Sequence, residues 1–161
     1  MTGFLFDLAF LLAAPVWFLM IFAPKWGPTV RIAASPLTVA PVLAVYLALA
    51  IPVLPELWAA VRSPDLDGFR ELTASASGAG AIWAQVIAWD LLLGQWMFHE
   101  ARRLGLHPLV MGPLLVLTIL LSPFALLIFL ALRAAIDGRY ARAAPPHPHG
   151  GSARNRRAGL G

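Results

Sequence analysis

Four apolar runs, 4–23, 37–58, 80–101 and 108–135, take up most of this 161-residue chain. Each is close to the ~20 residues that a helix needs to cross a hydrocarbon layer about 30 Å thick. Asp7 and Asp90 interrupt them away from their carboxyl ends, while nearly all the other charged residues fall at those ends, between the runs or in the last 29 residues. Charged residues make up 12 %, apolar residues 60 %, and mean hydropathy is +0.76, whereas a water-soluble domain is about a quarter charged. Backbone N–H and C=O groups in lipid must be paired within the chain, and helices achieve this segment by segment. The expected fold is therefore all-α: an integral membrane four-helix bundle over residues 1–136, followed by a basic tail.

The connections are legible as well. The first run carries no positively charged leader, so it reads as a retained span rather than a cleaved signal peptide. Pro24 and Lys25-Trp26 end it in interfacial chemistry, and 24–36 reads as a short connection. The second run is punctuated by Pro41, Pro52 and Pro55, which predicts an irregular end. Residues 59–78 form a polar loop with a short amphipathic helix around Leu66 to Leu72. After Ile136 the chain is Pro, Gly, Ala and Arg, a composition that cannot bury a core and predicts a disordered tail over 137–161. Four crossings place both termini on one side. Counting cations close to the span ends gives that side Arg62, Arg70, Arg133, Arg139 and Arg142 against Lys25, Arg31, Arg102 and Arg103. That balance favours cytoplasmic termini in a bacterial inner membrane.

With no cysteine, disulfides, thiol nucleophiles and cysteine-held metal centres are excluded. The net charge of +4 owes much to the arginines from Arg133 onward; without aromatic interleaving they point to lipid headgroups rather than nucleic acid. No phosphate-binding glycine loop, nucleophile elbow or Ser/His/acid pattern is present. Neither a cofactor nor a metal is expected: His99, Glu100 and His107 have ligand chemistry but lie around a single turn without ligand spacing from elsewhere. No internal repeat suggests a transporter, and a lone four-helix unit encloses little more than a cleft, so transport would require a homo-oligomer.

Asp90 stands at the middle of A-I-W-A-Q-V-I-A-W-D-L-L-L-G-Q-W-M-F-H-E-A-R-R-L, about 15 Å deep at 1.5 Å per residue. A carboxylate there costs at least ~2.5 kcal/mol unless it pairs, is protonated or faces the bundle interior. At 100° per residue Trp83, Ile87, Gly94 and Met97 share its side of the helix, and Gly94 lets another backbone approach. Gln85, Gln95, His99 and Arg103 lie on the opposite side, which predicts a helix enclosed by neighbours. Pro123 in the fourth run frees a carbonyl and kinks the span near Ser122 and Thr118; Tyr46 is a further polar group of similar depth. Asp7 suits the positive end of the first helix. Asp90 is the leading catalytic candidate as a proton donor or acceptor, joined by Gln85 and His99, with Trp83, Tyr46, Gly94, Thr118 and Ser122 as substrate-binding candidates. The competing role for Asp90 is to join helices by hydrogen bonding.

The order W-A-Q-V-I-A-W-D-L-L-L-G-Q-W from Trp83 to Trp96, then Gly105, His107 and P-L-L-V-L-T-I-L-L-S-P-F-A-L-L-I-F-L-A-L-R from Pro113 to Arg133, resembles the neoxanthin-synthase-like (abscisic-acid-deficient-four-like) membrane protein family. F-D-L-A-F-L-L-A-A-P-V-W-F-L-M-I-F-A-P-K-W from Phe6 to Trp26 fits the family's first span. The resemblance covers about residues 4 to 136. It implies a four-helix membrane protein that, in plants, is linked to conversion of an epoxycarotenoid to neoxanthin, and hence an isomerase-type activity on a carotenoid or other isoprenoid ligand. Epoxide opening with allene formation needs an acid at the epoxide oxygen and a base for a carbon-bound proton; Asp90 could supply one. The chain departs from the family in having Gln85 where a histidine is common, and Ser122-Pro123 where Gly-Pro is typical. The rival reading is a non-enzymatic protein that binds lipid or assists a membrane complex.

Overall fold

A computed structural model describes residues 1–143, which are almost wholly helical. Helix α1 spans Thr2–Phe22, α2 Gly27–Ala34, α3 Ala40–Ala50, α4 Leu54–Arg62, α5 Leu66–Ala74, α6 Ala76–Arg103 and α7 Pro108–Ala143. Short 3-10 turns, Pro36–Val39 and Ile51–Val53, sit where Pro36 and Pro52 remove backbone donors. They join α3 and α4 into one helical stretch, Pro36–Arg62. By length and composition alone four helical segments could cross a membrane: Thr2–Phe22, Pro36–Arg62, Ala76–Arg103 and Pro108–Arg139, the last of them interrupted at Leu121.

Helix α6 is the central element. Phe6 stacks on Trp83 with ring centroids 5.0 Å apart, Trp17 covers Gly94, and Arg102 donates to the Pro24 carbonyl at 2.8 Å. These contacts make α1 parallel to α6. Thr38 meets Gln95 and Leu49 packs on Gly80, so α3 is antiparallel. Small residues set the close approach, since Ala9, Ala13, Ala81 and Ala84 are wholly buried and van der Waals packing of such residues holds membrane helices together.

The connections contain more structure than the composition suggests. Residues 24–36 include the helix α2, started by Pro28 in its first turn and burying Thr29 and Ala33. The polar loop holds the expected amphipathic helix, α5, which the Asp65 side chain caps by accepting from Gly68 N at 2.8 Å. Ser75 caps α6 in the same way at 3.0 Å.

The fourth run departs most from expectation. It reads as a single crossing, but α7 has non-helical backbone at Leu121 (φ −150°, ψ 65°), and the chain turns back there. Before the break, Thr118 lies against Met97. After it, Ser122 meets Asp90, Phe129 packs on Trp96 at 5.5 Å, and Arg133 pairs with Glu100 at 3.2 Å. A constant offset of 32 to 33 residues along these three contacts means that the second arm, 122–143, runs parallel to α6. The first arm, 108–120, rises antiparallel to it from the Gly105 turn. The segment is thus a helical hairpin that enters and leaves at the same end. Its physical cause is Ser122-Pro123: proline disfavours helical backbone in the residue before it and suits a first turn, so the pair starts a new helix rather than bending an old one. Met1 and the end of the described residues consequently lie at opposite ends of the bundle, whereas four straight crossings would bring them to one end; the carboxyl terminus itself lies outside the described residues. Residues 137–143, expected within a disordered tail, continue the helix; the rest of that expectation falls outside the described residues.

Candidate functional site

Asp90 lies halfway along the 28 residues of α6, about 20 Å from either end at 1.5 Å per residue. It is 9 % exposed and is among the few buried polar side chains of the described residues. The Ser122 hydroxyl approaches its carboxyl from the first turn of the second arm of α7. A helix start carries backbone N–H groups without partners and the positive end of the dipole, and the break at Leu121 places such a start near the level of Asp90. At the break Ser122 is half-buried against α6 and Ala125 is wholly buried, whereas Leu121 and Phe124 are exposed on the outer side.

Of the residues singled out from sequence, Asp90, Gly94 and Ser122 come together. Gly94 lies one turn below Asp90, and a Cβ there would overlap the Trp17 ring. Trp17, 4 % exposed, is therefore part of this wall, a role that its place in a uniformly apolar span did not signal. Met97, one turn further, is wholly buried and receives Thr118 at 3.7 Å from its sulfur.

The others lie elsewhere. Thr118 is on the first arm of the hairpin and donates to its own Leu114 carbonyl at 2.8 Å. Tyr46 is half-buried; the contacts of Thr38 with Gln95 and of Leu49 with Gly80 put it near the level of Ala84, about 9 Å along the axis from Asp90. Trp83 shares that level, stacked on Phe6, with an indole N–H that is buried and without an acceptor. Gln85 is exposed, on the side of α6 away from Asp90. The expected enclosure of both sides of α6 therefore fails at Gln85 but holds at Gln95, which is 4 % exposed and hydrogen-bonded to Thr38. His99 is half-buried at the Gly105 end, and its Nε2 is without a partner. His107 instead accepts from Leu109 N at 3.2 Å and caps α7. Among the described residues no three His, Asp or Glu side chains come together as a metal site. Asp7 is exposed on α1.

The model of one family, described as ABA DEFICIENT 4-like, matches residues 4–129. The chain belongs to that family. The matched residues take in nearly all of α1, then α2 to α6 with Asp90, and the hairpin as far as Phe129. No curated protein and no solved structure matches the chain.

Proposed function

We propose that this protein acts within the membrane on a carotenoid or other isoprenoid lipid by acid/base isomerisation, with Asp90 as the proton-exchanging group and Ser122 as its positioning partner. The observation that carries this reading is the pairing of one buried carboxyl at mid-depth with the start of a broken helix. A packing contact alone needs no interrupted helix, and an interrupted helix at this depth recurs where membrane proteins handle polar groups. A substrate must reach Asp90 from the hydrocarbon side, since about 20 Å of helix separates it from water, which selects a lipid-soluble molecule. Protonated Asp90 would give its proton to a substrate oxygen or alkene carbon, and the resulting carboxylate would take one from a neighbouring C–H. The proton count is then unchanged, as an isomerisation requires. Membership of the ABA DEFICIENT 4-like family supports the isoprenoid class.

The test is Asp90→Asn, which keeps shape and hydrogen bonding but cannot exchange a proton. Pigment and lipid extracts from cells expressing the variant, compared by chromatography and mass spectrometry, should match those of cells lacking the protein, while the variant accumulates normally. Unaltered extracts would instead support the second reading, a non-enzymatic lipid-binding or accessory protein, in which the Asp90–Ser122 contact only fastens the hairpin to α6.

A further inference from the structure

The reversal of α7 sorts the charges of the chain onto two ends. Lys25, Arg31, Arg102, Arg103, Arg133 and Arg139 gather at the Gly105 end, with Glu100 and Asp137. Asp7, Glu56, Asp65, Asp67 and Glu71 gather at the Met1 end, with Arg62 and Arg70. A single crossing by α7 would have divided the arginines nearly evenly; the hairpin removes that balance.

At the Gly105 end a cleft of about 330 Å³ opens between the α1–α2 junction and the α6–α7 turn. Phe98 and Met111, 1 % and 5 % exposed, back the cleft, and half-buried Pro24, Leu106 and Pro108 give it an accessible apolar wall. Lys25 and Arg102 stand at its rim, both exposed. Arg102 is held in place, with Nη1 on the Pro24 carbonyl at 2.8 Å and its guanidinium 5.8 Å from the centre of the Phe98 ring. Neither cation has a carboxylate partner among the described residues, and the nearby Glu100 is engaged by Arg103 at 2.7 Å and Arg133 at 3.2 Å. Trp26, 55 % exposed beside Lys25, marks this level as the membrane interface. An occupant must present an anion to Lys25 and Arg102 while laying apolar surface on Pro24, Leu106 and Pro108, at headgroup depth.

We propose that this cleft binds an anionic phospholipid, its phosphate between Lys25 and Arg102 and the upper part of an acyl chain against Pro24, Leu106 and Pro108, and that this end of the bundle faces the cytoplasm. Cations concentrate on the cytoplasmic side of membrane proteins, and that leaflet supplies anionic headgroups. The amino terminus is then on the far side. The site lies away from Asp90 and stands whether or not isomerisation occurs.

The experiment uses the full chain in detergent, titrated with short-chain phosphatidylglycerol or phosphatidylcholine and read by native mass spectrometry. Phosphatidylglycerol should bind preferentially. Lys25→Gln, which removes an exposed cation without a partner, should weaken that preference about fivefold, the factor that corresponds to one basic residue near an anionic surface. Arg102→Gln should weaken it at least as much, and Arg70→Gln at the other end should leave it unchanged. Because the chain has no cysteine, Leu106→Cys and Gly138→Cys in separate variants report sidedness, and both should be labelled from the cytoplasm alone. Equal binding of the two lipids, a preference untouched by Lys25→Gln and Arg102→Gln, or labelling of Leu106→Cys from outside would each overturn the proposal.

Discussion

The reversal at Leu121 puts Arg133 beside Glu100, and this ion pair gives the hairpin a thermodynamic signature. Were α7 one straight helix rising from the Gly105 turn, Arg133 would stand eleven residues beyond Ser122, about 16 Å above the level of Asp90, while Glu100 lies ten residues, about 15 Å, below it. The two would be about 30 Å apart, several Debye lengths at physiological salt, and their substitutions would be additive. In the folded chain Arg133 Nε is 3.2 Å from Glu100 Oε1, with side chains 35 % and 12 % exposed. Near a protein surface two unit charges about 4 Å apart attract by ~4 kcal/mol before desolvation. Half-exposed pairs retain only a fraction of that, and Arg103 competes for the same oxygen at 2.7 Å. A net coupling of about 1 kcal/mol is expected. A double-mutant cycle of Glu100→Gln and Arg133→Gln, followed by reversible unfolding in mixed detergent micelles, measures it, and high salt should reduce it. A coupling below ~0.3 kcal/mol, within ordinary additivity, would mean that the residues do not meet and that the second arm does not return along α6.

Pro123→Ala separates the same alternatives by another route. In a helix interior the change would gain about 3 kcal/mol, but at the first turn of a new arm it should move stability by less than about 1 kcal/mol. Gly94→Leu drives a side chain into the Trp17 ring and should cost about 1 to 3 kcal/mol by overpacking, read as a lower unfolding midpoint; Trp17→Ala in the same chain should recover part of it. Gln95→Leu removes the buried contact with Thr38 and should cost about 0.6 to 1.7 kcal/mol, the range of hydrogen bonds between membrane helices. Gln85→Leu, on an exposed position, should leave both stability and the lipid profile unchanged if Asp90 acts without it.

Much was decided by the sequence alone. Lengths and apolarity of the runs specify membrane helices, because backbone groups in lipid must pair locally. The Asx and Ser caps at Asp65 and Ser75, and the glycine at Gly105 with φ 67°, mark element ends through chemistry confined to a few neighbouring residues. Asp90 stands out because a charge at mid-depth is costly wherever its partners come from. The destination of the fourth run was decided by tertiary structure. Ser122-Pro123 announces a break, but whether the chain continues across or folds back depends on whether α6 offers Asp90, Trp96 and Glu100 at matching spacing to receive Ser122, Phe129 and Arg133. The same holds for Gln85 and Gln95: both are amides on one helix, yet one is exposed and the other meets Thr38. Periodicity along α6 states which residues share a side, but only the packed positions of α3 and α7 determine which side is covered, because burial belongs to pairs of helices and not to either one.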